Sequence, residues 1–450
     1  MERTPASNKL LMMITTEIFP VLSIGHDQAR ERLKRIKNRN VTVSAELMAK
    51  VEAIVRTVRT DGDSALIRFT REFDKVSLTH LQVSTNDIEK AKKKVDRRVL
   101  EIIRESAENV RRFHERQRQN SWIEQDRGGT ILGQRVIPIE RVALYVPGGT
   151  AAYPSTVIMN AVPAQVAGVK EICVLTPPSG NGSVNPVVLA ACSVLGIDIV
   201  YCVGGAQAIA AAAYGTQTVR KVDKIVGPGN VFVAAAKKLV YGDVDIDMIA
   251  GPSEVAVLAD LTAAPREIAA DLLAQAEHDR NAAAVLVTTE RKVALKVQKE
   301  IRSLLRNLPR RDIANESMFR NGAAFVTRNI QEAVELINEI APEHLEIIAK
   351  DDWDILGRIK NAGAVFIGRY SPEPVGDYFA GPSHVLPTGG TAKFSSVLNV
   401  DSFVKRSSII HYSREAFERN SAKIRMFAES EGLSAHALSI KVREKSGRKR

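Results

Sequence analysis

The sequence predicts an α/β protein built on parallel, doubly wound sheets. From Arg141 onward, short apolar runs typical of strands alternate with helical segments, and the junctions are rich in glycine. Strands that alternate with helices indicate parallel pairing through helical crossovers. A second block with the same rhythm begins near Glu254, which is consistent with a duplicated unit. A chain of 450 residues is too long for one ordinary core, so two or more domains are expected.

The elements follow in order along the chain. Residues 43–120 are predicted to form charge-rich helices, because apolar residues recur at helical spacing in 45–58 and 97–117, with a break at 61–63. In the first alternating block, the predicted strands are 141–146, 170–178, 197–203 and the run opening at 224, and the predicted helices are 156–168, 186–196, 208–215 and 231–242. In the second, the strands are 254–260, 282–289, 322–328 and 363–368, and the helices are 265–279, 293–308 and 330–340. From about residue 399 a more polar accessory domain is expected.

Composition excludes several classes of function. The net charge is +11, and much of the excess lies in residues 30–39 and 441–450, which contain no interleaved aromatic side chains. This argues against a nucleic-acid partner. No apolar run approaches the roughly 20 residues that span a bilayer, so no membrane partner is expected. The N-terminus makes a poor signal peptide, which favours a cytoplasmic location. The cysteines lie in apolar segments typical of core residues.

The segment 376–388, GDYFAGPSHVLPT, combines the carboxylate of Asp377 with the imidazole of His384. Its glycines and prolines predict a loop rather than a continuous helix or a central strand. Its apolar side chains indicate that the loop is half-buried. Such a loop often presents functional side chains, although a purely structural loop gives the same pattern.

Two glycine-rich turns, GGAQ at 204–207 and GPGN at 227–230, each follow a predicted strand and open a helix. Glycine lets a ligand approach the backbone, and a helix N-terminus favours a phosphate. Gln207 and Asn230 would stand where open α/β sheets bind ligands. Neither turn is the G-x-G-x-x-G fingerprint, so tight turns without a ligand remain an alternative.

Three further pairs contain residue types that serve catalysis or metal binding. Gln275 and His278 stand three apart on a predicted helix, which would place them on one face as possible zinc ligands; the alternative is a histidine favoured by the helix dipole. Glu343 and His344 follow another predicted helix and form a possible proton-transfer pair, or a surface cap. The third pair lies in the polar tail, in the segment EGLSAH, and consists of Glu431 and His436.

Taken together, the segments resemble the histidinol dehydrogenase family. The matching segments run from about Arg30 to His436 and are FHERQRQNSW, RVALYVPGG, VGGAQAIAA, VGPGNVFV, IAGPSEV, LLAQAEHD, APEHLE, GDYFAGPSHVLPTGGTAKFSS and EGLSAH. So many ordered segments make the resemblance highly specific. It implies two successive NAD-dependent oxidations, from L-histidinol through L-histidinaldehyde to L-histidine, in a zinc-containing homodimer with shared active sites.

The resemblance also implies the fold and its division. It predicts two incomplete Rossmann-like doubly wound domains with small N- and C-terminal accessory segments. Residues 1–35 would form the N-terminal segment, 36–140 with 255–397 the first α/β domain, and 141–254 the second α/β domain with the NAD contacts. Residues 398–450 would form the C-terminal accessory domain that completes the partner's site.

The site residues carry over position by position. The resemblance implies zinc ligands at Gln275, His278, Asp377 and His436, and these side chains would also contact the substrate, as would Ser253, His344, His384 and Glu431. It implies NAD contacts at Tyr145, Gln207 and Asn230, and catalysis by Glu343 and His344. His344 would accept the hydroxyl proton, and Glu343 would activate water. The chain departs from the family at Ser383, usually Asn, and at Arg280, where Pro is common.

Two other functions are alternatives. A homologue with the same catalytic residues could oxidise another small polar alcohol, and His384 and Glu431 are the positions that would discriminate. A basic nucleic-acid-binding protein would leave the acid and imidazole pairs unexplained.

Overall fold

The computed structural model describes residues 18–39, 44–148, 152–180 and 182–446. The chain divides into two compact units. The first contains the described residues through Gln117 together with Ile139–Ser402, and the second contains Arg118–Pro138 together with the described residues from Phe403 onward. The predicted α/β class with parallel sheets is confirmed. Within these ranges, none of the helices has the length and apolar character that a membrane-spanning segment needs.

The strands and helices are numbered in chain order. The strands are β1 (Val21–Ser23), β2 (Trp122–Gln125), β3 (Ile131–Pro138), β4 (Arg141–Tyr145), β5 (Glu171–Thr176), β6 (Ile199–Cys202), β7 (Lys224–Val226), β8 (Asp245–Ile246), β9 (Glu254–Ala259), β10 (Ala283–Thr288), β11 (Ala323–Val326), β12 (His344–Ile348), β13 (Ala364–Ile367) and β14 (Val404–His411). The helices are α1 (Asp27–Lys37), α2 (Ala45–Asp61), α3 (Asp63–Phe73), α4 (Thr85–Lys94), α5 (Arg97–Glu115), α6 (Pro154–Ala167), α7 (Pro186–Val194), α8 (Gly205–Tyr214), α9 (Val231–Val240), α10 (Pro265–Ala276), α11 (Arg291–Leu305), α12 (Arg311–Asn321), α13 (Ile330–Ile340), α14 (Asp352–Leu356), α15 (Glu373–Tyr378), α16 (Arg414–Ser430) and α17 (Ser434–Ser446).

The first sheet is parallel, with the strand order β6-β5-β4-β7-β8. Counted from β4, this is the order 3-2-1-4-5, and the order reverses between β4 and β7. Such a switch point opens a crevice at the carboxyl ends of the strands. Helices α2 and α3 share the core of this sheet through Val51, Val58 and Leu66, whereas the sequence-based division assigned them to the other α/β domain. The division as a whole stays a prediction.

The second sheet is also parallel and repeats this order. Its strands run β1-β11-β10-β9-β12-β13, so β11 to β13 again read 3-2-1-4-5 when counted from β9, with β1 added at one edge. Every residue of β9 and β10 is buried, as expected for strands covered by helices on both faces. Separate apolar clusters fill the two faces of the sheet. The two sheets thus share a strand order, which agrees with the duplicated unit that the sequence indicates.

The second unit is antiparallel. Strand β3 pairs with β14 on one side and with β2 on the other, and helices α16 and α17 follow β14 in the chain. Residues 118–138 thus belong with the C-terminal segment, although the sequence-based division placed them in the first α/β domain.

The predicted loop at 376–388 is wrong for its first three residues, which belong to α15 (Glu373–Tyr378). Pro374 lies in the first turn, where a helix does not need the missing N–H. Gly376 is needed there because a Cβ atom would lie 2.5 Å from the ring of Phe366. Pro374 therefore initiates a short helix, and Gly376 fits within it, although both residue types often interrupt helices.

A glycine-to-alanine pair tests how the β7 turn approaches β4. Gly227 has φ +109°, and a Cβ atom there would lie 2.2 Å from the carbonyl oxygen of Tyr145; Gly242 has φ +108° but open space around it. We expect Gly227→Ala to lower the free energy of unfolding by about 1–3 kcal/mol more than Gly242→Ala, because only the first adds a clash to the backbone strain. Urea unfolding followed by circular dichroism measures the difference, and equal losses would contradict the close approach.

Candidate active site

The predicted NAD contacts meet at the carboxyl edge of the first sheet. Tyr145 ends β4, and its hydroxyl accepts a hydrogen bond of 3.0 Å from the amide of Gly205 at the start of α8. Gln207 is buried in the first turn of α8. Asn230 caps α9 and accepts from the amides of Phe232 and Val233 at 3.0 and 3.1 Å. All three predicted contacts line one cavity of about 700 Å³.

A buried ion pair holds the turn between β7 and α9. The Lys237 ammonium donates to the carboxylate of Asp247 at 2.6 Å and to the carbonyl of Gly227 at 2.5 Å. The other Asp247 oxygen accepts from the Gly227 amide at 2.7 Å. Both side chains are almost completely buried. Removing one partner of such a pair costs about 3–5 kcal/mol, so the turn that ends in Asn230 is firmly fixed.

A second group of predicted site residues lies at the amino edge of the second sheet. Doubly wound folds usually bind ligands at the carboxyl edge instead. His344 is the first residue of β12, and Glu343 precedes it. Ser253, Asp377 and His384 line the same cavity, which has a volume of about 540 Å³. Pro147 and Asn230 line this cavity and the first one as well. The carboxyl edge of one sheet thus adjoins the amino edge of the other.

The orientation of His344 leaves one ring nitrogen bare, that is, without a hydrogen-bond partner among the described residues. Nδ1 lies 3.2 Å from the carbonyl oxygen of Glu254. Because a carbonyl can only accept, Nδ1 carries the proton and Nε2 is the basic nitrogen. Nε2 is buried without a hydrogen-bond partner among the described residues and lies 3.9 Å from Oδ1 of Asp377. Burial lowers the pKa of His344 to about 3 and that of His384 to about 4, which favours neutral rings.

The pKa values of the acids around the cavity are raised, whereas those of the two histidines are lowered. The carboxylate of Glu343 accepts a hydrogen bond of 2.9 Å from the amide of Glu254, and burial raises its pKa well above the ordinary value. Burial raises the pKa of Asp377 to about 7. Oδ1 of Asp377 also lies 3.8 Å from Nδ1 of His384. Shifts of this kind are common in catalytic sites.

Glu373 was missed by the sequence analysis. It is 3 % exposed and lies one turn before Asp377 on α15. Ligand atoms of His344, Glu373 and Asp377 all lie within 4.8 Å of one another, close enough to hold a metal ion. The four-residue spacing of the two acids was the available signal, because it places both on one helix face. Interpreting the segment as a loop concealed it.

The helical argument for Gln275 and His278 is wrong for the histidine. Helix α10 ends at Ala276, Glu277 caps it, and His278 follows the cap with its amide bonded to the Gln275 carbonyl at 3.2 Å. Gln275 is fully buried, and its side-chain amide lies against the Glu373 carboxylate. His278 is exposed and lines the same cavity as Glu343 and His344. The two residues thus lie near one another through the end of the helix, not through a shared face.

Glu431 and His436 belong to the second unit. Glu431 caps the C-terminus of α16, and His436 lies in the first turn of α17. Both are exposed, and they line a cavity of about 590 Å³ within that unit, together with apolar side chains that include Ile424, Phe427 and Ile440. The two tail residues that the sequence singled out are thus brought together.

The two departures from the family pattern have local partners. The hydroxyl of Ser383 donates to the carbonyl of Met159 at 3.1 Å and accepts from the amide of Val385 at 3.2 Å, so it supports the loop that carries His384. Arg280 forms an ion pair with Glu316.

Comparison with known proteins shows the family. The sequence profile of the family described as Histidinol dehydrogenase matches residues 37–444. The chain belongs to the histidinol dehydrogenase family. It is 56 % identical over 394 residues to the histidinol dehydrogenase of Geobacillus kaustophilus (strain HTA426), covering 88 % of this chain and 93 % of that protein. It is 53 % identical over 408 residues to that of Bacillus subtilis (strain 168), covering 90 % and 96 %.

The fold matches the family as well. The crystal structure of histidinol dehydrogenase from Elizabethkingia anophelis superposes with a TM-score of 0.90 at 36 % sequence identity, covering 96 % of this chain and 99 % of that one.

Proposed function

We propose that this chain oxidises L-histidinol to L-histidine through L-histidinaldehyde, reducing NAD twice. The single observation that supports this most is the catalytic cavity, in which a bare ring nitrogen of His344 and the carboxylate of Glu343 lie beside a second cavity lined by Tyr145 and Gln207. The two cavities share Asn230, so a hydride donor and an acceptor bound in them would be neighbours.

We propose zinc as the resident metal, held by Gln275, His278 and Asp377 together with the partner's His436. These are nitrogen and oxygen donors, which suit zinc or a neighbouring first-row metal. The residues present fit this role. His278 keeps part of its surface exposed, but the protein groups around its ring desolvate it and lower its pKa, which favours the neutral ring that a metal requires. Asp377 lies among groups close enough to hold an ion. When bound, the metal would hold the substrate's imidazole and amine and so position the substrate, while the redox chemistry would belong to NAD.

The residues then act in two stages. In the first, Nε2 of His344 accepts the hydroxyl proton while the hydride leaves the substrate carbon for NAD, which yields the aldehyde. In the second, Glu343 takes a proton from water, and the oxygen adds to the aldehyde carbon. A second hydride then passes to a second NAD as His344 accepts the proton that leaves the hydrated aldehyde. The raised pKa of Glu343 makes its carboxylate a stronger base, which suits this task.

Substrate specificity would depend on Ser253, His384 and Glu431. Ser253 and His384 line the catalytic cavity. Glu431 and His436 would reach the site of the partner subunit in a homodimer, which would give an exposed, partly apolar tail segment a function. A cytoplasmic location and the lack of a nucleic-acid or membrane partner stay predictions from the sequence.

NADH formation from L-histidinol tests the activity directly. We expect two NADH per L-histidinol, and we expect a zinc chelator to abolish turnover and added zinc to restore it, because the metal positions the substrate. Absorbance at 340 nm measures the product. Other small amino alcohols serve as controls, and faster turnover of one of them would favour the homologue with a different substrate.

Substitutions at the catalytic pair separate the two stages. Glu343→Gln should keep much of the alcohol oxidation and lower aldehyde oxidation by about 100-fold or more, because only the second stage needs activated water. His344→Asn should depress both, since a proton leaves in each. Single-turnover assays starting from L-histidinol and from L-histidinaldehyde measure the stages separately. An equal loss in both stages for Glu343→Gln would show that its separate role is wrong.

Subunit mixing tests the shared site. His436→Ala homodimers and Glu343→Gln/His344→Asn homodimers should both be inactive. If each tail serves the other subunit, a heterodimer carries all lesions in one site and none in the other. Activity should then approach about a quarter of wild type in a statistical mixture of equal chains. Native mass spectrometry checks the exchange. Background activity after confirmed exchange would mean that the tail serves its own subunit.

A further inference from the structure

Three acids lie in the region of Gln275, one half-buried and two buried. Asp271 lies one turn before Gln275 on α10, so both point from the same face. Glu346 lies two residues after His344 on β12 and is 1 % exposed. Glu373 begins α15 and is 3 % exposed. None of these acids has a role in the chemistry proposed above.

The contact between Gln275 and Glu373 defines the amide's orientation. One polar atom of the Gln275 amide lies 2.7 Å from Oε1 and 2.8 Å from Oε2 of Glu373. Carboxylate oxygens accept hydrogen bonds, so this atom is the amide nitrogen, which donates to both. The carbonyl oxygen of Gln275 consequently points away from Glu373. An amide nitrogen has no lone pair for a metal, whereas the carbonyl oxygen is a ligand.

Glu373 is itself held in place. Its backbone amide donates to Oε1 of Glu346 at 2.8 Å. The carboxyl group of Glu346 lies beside that of the half-buried Asp271. Oε1 of Glu373 also lies 3.8 Å from Nδ1 of His344. The first turn of α15 is thus anchored to β12.

We propose that Glu373 is a positioning residue that holds the Gln275 amide so that its carbonyl oxygen faces the metal. This inference rests on the ligand set of the proposed function. The competing role is direct ligation by Glu373, because its oxygens lie within 4.8 Å of ligand atoms of His344 and Asp377. Positioning agrees better with the geometry, since both carboxylate oxygens already accept from Gln275. Partners of metal ligands of this kind typically affect metal affinity by 10–100-fold.

A double-mutant cycle on zinc affinity tests the proposal. Competition with a chromophoric chelator gives the zinc Kd of the full-length protein, Gln275→Ala, Glu373→Ala and the double variant. Glu373→Ala should weaken zinc binding by about 10–100-fold on its own and change it little further when Gln275 is already alanine. Additive losses would show that Glu373 acts independently of Gln275 and would overturn the proposal. An unchanged Kd in Gln275→Ala would overturn the proposed ligand set itself.

Two further variants keep the result free of folding effects. Glu373→Gln retains an oxygen that accepts from the Gln275 amide, so most of the zinc affinity should remain, whereas a direct ligand would lose its charge and its affinity. Asp271→Asn is the matched control, because it alters the same acid cluster without touching the Gln275–Glu373 contact, and its zinc Kd should stay at the wild-type value.

The visible absorption of the cobalt-substituted protein reports the ligand geometry without reference to activity. The band should shift in Glu373→Ala and stay in Glu373→Gln and Asp271→Asn. If Asp271→Asn weakens zinc binding as much as Glu373→Ala, the effect is a general disturbance and the positioning role is wrong.

Discussion

The arrangement of the proposed catalytic pair depends on Glu254, the first residue of β9. Its amide donates to Glu343, and its carbonyl accepts from Nδ1 of His344, so one residue of the sheet fixes both side chains. Its carboxylate pairs with Arg39 and accepts from the amide of Gly389 at 2.9 Å. Both charged side chains are under 10 % exposed, and breaking such a pair costs about 3–5 kcal/mol. The tautomer of His344 is therefore set by the sheet itself.

The two sheets share a strand order but use opposite edges. At the first sheet, the switch point between β4 and β7 provides the carboxyl-edge crevice that doubly wound folds use for ligands. At the second, residues at the amino ends of β9 and β12 line the cavity that contains Glu343 and His344. Helix α10 runs back toward that amino edge of the sheet. Gln275, in its last turn, and His278, just after its end, therefore lie at this edge. Asn230 lines both cavities, so the two edges lie side by side. We propose a different function for each edge.

Much of the fold could be predicted because apolar runs and glycine-rich junctions mark most strands and helices. Strand β12 was missed, and the reason is chemical. His344 and Glu346 occupy buried positions that a structural strand would fill with apolar side chains. The same cause concealed α15, where Gly376 and Pro374 resemble loop residues although they serve packing and helix initiation. Long-range contacts such as Gln275 with Glu373 have no local signal, and such conflicts are expected at functional sites.

The buried charges beside the two cavities differ in whether an opposite charge compensates them. Beside the first cavity, Lys237 and Asp247 neutralise each other and bind backbone groups, which gives a rigid turn. Beside the second cavity, burial raises the pKa of Glu343, Glu373 and Asp377, and the nearby Asp377 carboxylate raises the pKa of Glu343 and Glu373 further. A protein that needed only stability would replace such acids by apolar side chains, often at no cost. Their presence at one cavity, beside a histidine with a bare nitrogen, is therefore best explained by the reaction that the cavity serves.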